Sequence, residues 1–288
     1  MENFIDLHIH SNKSSDGDLS PEEIIVLAKK AGFTAISISD HDSLDAYPEA
    51  LEKGKKYGIE VIPNIEVTTN FNGRELHILF PFIKWKSKEI ESFIKKIKKR
   101  RFRLALKRIE KLKEIGFNIS MDEVLESSQG TPPLGTAIAK VILEKERTNP
   151  RLEKYFEKDT FKAPYRFYKD YFEENKPAYV HFENIPAEEA IKIGKSFGGV
   201  PVLAHPGASF CRIETGDAII LKKAGLKGLE VWTSYHNEEL TEKYLKMALD
   251  NGLIPSAGSD FHGKIKPIVT IGMVKGDYRI LEDLKKRR

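Results

Sequence analysis

Phe4-Ile5-Asp6-Leu7-His8-Ile9-His10 is the stretch from which the fold is read. Apolar and polar residues alternate along it, with β-branched and aromatic side chains among them, which predicts a first strand. His8 and His10 are two apart, so both project from one face of that strand. Two imidazoles so placed can grip one metal ion; they can equally be a pair of satisfied core histidines. The other members of the chain's set of 8 histidines bear on the choice. Ala35 to Ser39 runs into Asp40-His41, Val202 to Ala204 into His205-Pro206-Gly207, and Ile254 to Ser259 into Asp260-Phe261-His262, while Glu66 and His77 flank a hairpin signal. Histidine and carboxylate residues thus recur where apolar strands end. In a barrel of strand and helix units, such ends gather on one rim.

Outward from the first strand, Ser20 reads as an N-cap, Pro21 as the first helical position and Glu23 as the return half of a capping box. Ile24, Leu27, Ala28 and Ala31 make one apolar face and Gly32 ends it, so the start is a βαβ unit with Asp16 in its loop. Asp16 and Asp18 either both solvate that loop, or Asp16 supplies a ligand from it. A second helix is expected from about Tyr47 to Tyr57 and a third strand from Ile59 to Ile62. Asn72-Gly73, between Ile65 to Phe71 and Arg74 to Phe80, predicts a two-residue type I′ hairpin. That turn pairs Phe71 with Arg74 and Thr68 with His77, leaving Glu66 and His77 as diagonal neighbours on one face, about 7–8 Å apart along the backbone.

From Lys84 to Lys113 there are fourteen Lys or Arg against three Glu, while Ile90, Phe93, Ile94, Ile97, Leu104, Ile109 and Leu112 keep a helical period. One or two amphipathic helices with a very basic outer face are expected there. Gly116 ends them, a shorter helix follows from about Thr136 to Glu144, and the barrel is expected to resume near Ala178-Tyr179-Val180. The basic face is either solvated or a wall for a polyanionic substrate, and in the second case binding weakens with salt. Beyond it strand and helix alternate again: helices at Pro186 to Ser196, Asp217 to Lys223 and Glu238 to Asn251, strands at Val200 to Ala204 and Leu229 to Trp232. His236 reads as either a polar loop residue or a substrate contact, and His181 as structural.

At 288 residues, 40% hydrophobic and 31% charged, the chain can bury a substantial core. It has no long apolar span and no basic-then-apolar leader, so neither membrane insertion nor secretion is expected, and a cytoplasmic location is. Cys211 is the one cysteine, which excludes an internal disulfide and reads as a bystander rather than a nucleophile.

His-x-His with a following Asp16-Gly17, then Asp40-His41, Glu66, His77, His205-Pro206 and Asp260-x-His262, in that order, resembles the PHP phosphoesterases, named for polymerase and histidinol phosphatase domains. The likeness covers roughly residues 1 to 82 and 177 to 275. It implies an α/β fold, a distorted (β/α)7 TIM-like barrel of residues 1–82 and 177–288, interrupted by a helical, basic insertion domain at 83–176. The nine candidate ligands are His8, His10, Asp16, His41, Glu66, His77, His205, Asp260 and His262. They are rich in imidazole nitrogen and carboxylate oxygen, lack thiolate and are too many for one ion. That favours two to three divalent ions, Zn, Mn or Fe with Mg also admissible, over a Cys-rich structural zinc. Without cations, each close pair of carboxylates would repel by up to ~4 kcal/mol at an effective dielectric near 20. The resemblance implies one ion on His8, His10, Glu66 and Asp260, a second on Glu66, His77 and His205, and a third on Asp16, His41 and His262. It also implies phosphoester hydrolysis by a metal-activated, metal-bound water, with Asp40 orienting His41 or relaying a proton.

The basic insertion after the His77 strand makes the chain similar to the nucleotide-hydrolysing branch of these enzymes, the 3′,5′-nucleoside bisphosphate phosphatases and RNase AM (TrpH-like) 5′-to-3′ exoribonucleases. A nucleotide or short 5′-phosphorylated RNA is therefore the expected substrate, and no stable protein partner is expected. That branch commonly carries an Arg-Pro-His-like run where this chain reads Pro133-Leu134-Gly135-Thr136-Ala137, and Arg after His-Pro-Gly where it has Ala208. Arg212, His236 and the run Lys98-Lys99-Arg100-Arg101 are the remaining candidates for substrate contacts. Three rivals stand beside this reading: a histidinol-phosphate-type phosphatase, a catalytically inactive nucleic-acid-binding module, and a metal-dependent amidohydrolase. The last typically has a Lys where Glu66 stands.

Overall fold

A computed structural model describes residues 3–128, 130–181 and 184–288. The first strand, β1 (Phe4–Ile9), buries both faces and pairs in parallel with β2 (Phe33–Ile38), reached through helix α1 (Pro21–Lys30). The expected capping box is present: Ser20 Oγ accepts from the Glu23 amide while the Glu23 carboxylate accepts from the Ser20 amide. Helix α2 (Tyr47–Tyr57) ends at Gly58 with φ 68°, and leads to β3 (Glu60–Val61) on the far side of β2.

Strands β4 (Glu66–Phe71) and β5 (Arg74–Leu79) form the expected hairpin in the expected register, Phe71 opposite Arg74 and Thr68 opposite His77. Asn72 and Gly73 both have positive φ, 52° and 79°, as a type I′ turn requires.

The basic stretch is one helix, α3 (Lys88–Glu114), 27 residues long, with Ser87 as its N-cap. Ile90, Ile94 and Ile97 pack against the β-sheet core, whereas Ala105, Ile109 and Leu112 belong to a second core with α4 (Met121–Ser127), α5 (Gly135–Lys145) and α6 (Ala163–Tyr171). A rise of about 1.5 Å per residue makes this helix roughly 40 Å long, enough to span both cores. Ala178 is buried in the second core and its neighbours form no strand, so the expected strand at 178–180 is absent. Sheet contact resumes at Asn70, whose amide donates to the Ile185 carbonyl.

Helix α7 (Ala187–Ser196), β6 (Val202–Leu203), α8 (Thr215–Ala224), β7 (Gly228–Thr233), α9 (Glu238–Asp250) and β8 (Ile254–Gly258) then alternate as expected. A short β9 (Gly276–Asp277) and α10 (Tyr278–Lys285) complete the described elements.

The strands do not close into a single (β/α)7 barrel. They form two sheets, β3-β2-β1-β9 and β4-β5-β6-β7-β8. Isolated bridges join them at two seams, Ile9 to Phe261 and His41 to Glu66. Both seams have a local cause. At one, β9 pairs antiparallel with β1 at Phe4 and Ile5, so the chain after β8 meets β1 only near its end, where the Asp260 amide donates to the His8 carbonyl. At the other, the Asn64 side chain replaces a ladder, donating to the Leu7 carbonyl and accepting from the amides of Ile65 and Phe80. Among the described residues no helix is long and apolar enough to cross a membrane.

Candidate metal centre

All nine candidate ligands are buried; seven lie at or just beyond strand ends, His77 lies within a strand, and Asp16 lies in the loop between β1 and α1. His8 sits on β1 with His10 just after it, His41 follows β2, Glu66 opens β4, His77 lies on β5, His205 follows β6, and Asp260 and His262 follow β8. His205 and Asp260 hold positive φ, 27° and 55°, a region that costs a side-chain-bearing residue energy and turns each away from its strand direction.

Glu66 is the hub. Its Oε2 lies 3.2 Å from His8 Nε2, 3.1 Å from His10 Nε2 and 3.3 Å from His41 Nδ1. Its Oε1 lies 2.9 Å from His77 Nδ1 and 3.1 Å from His205 Nε2. Asp260 Oδ1 is 3.1 Å from both His8 Nε2 and His10 Nε2, which are themselves 3.1 Å apart. Five of the six edges among these four atoms are thus 3.1–3.2 Å, and a regular tetrahedron of that edge has its centre about 1.9 Å from each corner, close to the roughly 2.0–2.2 Å of Zn–N and Zn–O bonds. A second group lies beside it: Asp16 Oδ2 is 3.2 Å from His262 Nε2 and 3.5 Å from His41 Nε2.

Among the described residues, buried Glu66 Oε2, His10 Nδ1 and His41 Nδ1 have no hydrogen-bond partner. Native structures leave few buried polar atoms unsatisfied, and carboxylate oxygens converging with imidazole nitrogens is the arrangement a divalent cation satisfies. The residues therefore fit metal ions.

The electrostatics point the same way. Burial opposes charge on His8, but Glu66, Glu230 and Asp260 hold its imidazole well above the usual histidine range. Burial likewise opposes charge on His10 and His77, yet Asp260 and Glu66 lift the first to about 10, and Glu66 and Glu75 the second to about 10. Burial dominates at His41, lowered to about 3, and at His205, also lowered. Burial raises Asp16, Glu66 and Asp260, but neighbouring imidazoles, with Lys266 foremost at Asp260, outweigh it and hold all three low. The carboxylates are thus ionised and demand positive charge.

An outer layer fixes these ligands. Glu230, fully buried on β7, accepts from His8 Nδ1 at 3.1 Å and from the His205 amide at 2.8 Å, tying two strand ends together. Its sequence signal is an acidic residue inside the apolar run Gly228 to Thr233, which the histidine pattern alone does not select. Tyr235 Oη and Lys266 Nζ hold Asp260 Oδ2 at 2.9 and 3.0 Å, leaving Oδ1 to face His8 and His10. Because such groups set ring orientation and basicity, Glu230→Gln is expected to weaken metal affinity about 10- to 100-fold, measured by chelator competition. Unchanged affinity would make Glu230 a packing group only.

Asp40 does not orient His41. Its carboxylate accepts from the Ser11 amide, Ser11 Oγ and Ser14 Oγ, bracing the loop that carries Asp16. Both ring nitrogens of His236 have partners within the fold: Nδ1 donates to the Val231 carbonyl at 2.7 Å, Nε2 accepts from the Gly207 amide at 3.0 Å, and the ring stacks on Tyr244. Arg212 is exposed and its carbonyl accepts from Arg74. Lys98 pairs with Asp45 at 2.8 Å, Lys99 and Arg100 face solvent, and Arg101 turns inward to pair with Asp42 and donate to Thr68 Oγ1. The run Lys98 to Arg101 therefore divides around the helix instead of forming one patch.

Buried imidazoles and carboxylates that converge in groups able to hold metal ions suit the chemistry of a metal-dependent phosphoesterase. The chain belongs to the PHP domain family, whose domain model matches residues 6–174. It is 27% identical to a phosphoribosyl 1,2-cyclic phosphate 1,2-diphosphodiesterase of Eggerthella lenta, over 93% of this chain and 97% of that one. It is 26% identical to a 3′,5′-nucleoside bisphosphate phosphatase of Chromobacterium violaceum, over 90% of this chain and 87% of that one. A solved structure from Bifidobacterium adolescentis, described as a metal-dependent phosphoesterase, superposes with a TM-score of 0.82 at 25% identity, covering 98% of this chain and 96% of that one.

Proposed function

We propose that this chain hydrolyses phosphate esters of nucleotides, either 3′,5′-bisphosphates or short 5′-phosphorylated RNA, at a centre of two to three divalent ions, Zn, Mn or Fe. The observation that carries the reading is the division of Glu66, one oxygen toward His8 and His10, the other toward His77 and His205. On this reading His8, His10, Glu66 and Asp260 hold one ion, Glu66, His77 and His205 a second, and Asp16, His41 and His262 a third. Bound divalent ions supply Lewis acidity toward phosphoryl oxygens and make a water nucleophilic near neutral pH. The protein's own part is to hold the ligand atoms in place: Glu230 anchors His8, Tyr235 and Lys266 anchor Asp260, and Asp40 anchors the Asp16 loop. Residues 83–176 act as an insertion domain that bounds the site on the side of Asp42, Thr68 and Ser15.

The bisphosphate phosphatase of Chromobacterium violaceum and the basic character of α3 support a nucleotide substrate. The Eggerthella lenta relative supports a second reading, a cyclic phosphodiester of a sugar phosphate. Metal analysis followed by a panel of p-nitrophenyl phosphate, adenosine 3′,5′-bisphosphate, 5′-phosphorylated oligoribonucleotide, phosphoribosyl 1,2-cyclic phosphate and histidinol phosphate separates these. A metal-loaded protein that hydrolyses none of them would overturn the proposal.

If α3 guides RNA, reversing the charge of exposed Lys99 and Arg100 to Glu raises KM for a 5′-phosphorylated oligonucleotide more than for p-nitrophenyl phosphate. Each lost phosphate contact also flattens the salt dependence of log affinity by about 0.7 for a single strand. Equal effects on both substrates would leave this a solvated face.

A further inference from the structure

Arg108 is a buried cation that the metal centre does not use. It lies on α3, 9% exposed, two turns beyond Arg101 and on the same face of the helix. Arg101 pairs with the Asp42 carboxylate; among the described residues Arg108 makes no ion pair, and Glu75 acts on it only from beyond contact. Among the described residues its Nε lacks a hydrogen-bond partner, and its fork makes a long 3.4 Å bond to Tyr168 Oη. Tyr168 and Phe172 flank the guanidinium, with centroids at 5.2 and 4.8 Å. A buried cation with no anion in direct contact is costly, and rings offset only part of that cost.

The fork is aimed at the N-terminus of α5, an eleven-residue helix whose cap residue, Leu134, supplies no side-chain acceptor. A Cβ placed on Gly135, the first residue of α5, would sit 2.8 Å from Arg108 Nη1 and 2.6 Å from the Tyr168 ring. Gly135 therefore lets the guanidinium lie against the helix start, where first-turn amides and the helix dipole favour an anion. This corner adjoins the metal centre. The Leu134 amide donates to Ser15 Oγ, next to Asp16, and Arg108 acts electrostatically on Glu75, whose carboxylate bonds to His77 Nε2 at 3.1 Å.

We propose that Arg108 and the N-terminus of α5 form an anion subsite for the phosphate of the substrate that is not hydrolysed, so that preferred substrates carry two phosphates. This rests on the reading of the metal centre as the hydrolytic site. It selects the nucleoside bisphosphate or 5′-phosphorylated class over simple monoesters.

The test uses the metal-loaded full chain with adenosine 3′,5′-bisphosphate and p-nitrophenyl phosphate. Arg108→Met keeps the stem and removes the fork; it is expected to lower kcat/KM on the bisphosphate about 100-fold, mostly through KM, and far more than on the aryl phosphate. Arg108→Lys keeps charge but loses the bidentate fork, and about a tenfold loss on the bisphosphate alone is expected. The lysine variant serves as the test should the methionine variant not fold. Equal losses on both substrates in the folded lysine variant would overturn the subsite and leave Arg108 a packing cation. Absence of turnover on either substrate by the wild-type protein would instead overturn the hydrolytic reading beneath it.

Discussion

Glu66→Gln is expected to lower kcat on p-nitrophenyl phosphate by about three decades or more, since several kcal/mol of charge stabilisation are at stake and each 1.36 kcal/mol is tenfold. The substitution conserves volume in a fully buried position, so the backbone has little reason to move. What it removes is the negative charge facing His8, His10 and His41 on one side and His77 and His205 on the other. A glutamine amide also turns one of those acceptor oxygens into a donor, pointed at nitrogens whose lone pairs are needed for a cation. Metal content measured by elemental analysis should therefore fall together with turnover. A variant that keeps its full complement of metal and a tenth of its rate would show that Glu66 is not shared between ions.

The part of this site legible in the sequence is the part with a local signal. Ser20 and Glu23 announce a capping box, and Asn72-Gly73 sets a register that pairs Thr68 with His77 and so brings Glu66 beside His77. Histidines after apolar runs mark strand ends because strand direction places those ends together. Long-range closure has no such mark. Whether two sheets join as one ladder depends on β9 occupying part of the edge of β1 and on the Asn64 side chain bridging a seam, and neither is visible in a periodicity. The same holds for direction on a helix surface. Lys98 to Arg101 reads as one basic run, but a turn of 3.6 residues sends Lys99 and Arg100 outward and Arg101 inward to Asp42. Asp40 adjoins His41 in the chain, yet its carboxylate goes to Ser11 and Ser14 because the loop before Asp16 folds back over it. Glu230 stands on a strand that itself carries no histidine; only the reach of its side chain to His8 on β1 and to the His205 amide after β6 gives it two partners.

Metal ions are expected to raise the melting temperature of the chelator-stripped protein by about 10 °C at saturating concentration, because ligand at a thousand times its Kd contributes roughly 4 kcal/mol. That increment should be larger at pH 8.5 than at pH 6. In the metal-free protein, His8 is held well above its unfolded value near 6.5, and His10 and His77 at about 10. The stability these charged imidazoles contribute is fully present below about pH 6.5 and is lost as pH rises toward their folded values. Asp16, Glu66 and Asp260, held low, contribute stability above about pH 4 that is lost on acidification, so the stripped protein is most stable between those limits. Metal reverses the upper slope. Filling the centre must displace protons from His8, His10 and His77, whereas His41 and His205 are already neutral, so the competition eases as pH rises. Calorimetric titration with Zn or Mn at pH 7, in two buffers of different ionisation enthalpy, should then report the release of about three protons on filling the centre. Binding without proton release, or a metal-induced rise in melting temperature as large at pH 6 as at pH 8.5, would mean that these imidazoles are not the groups that take the ions.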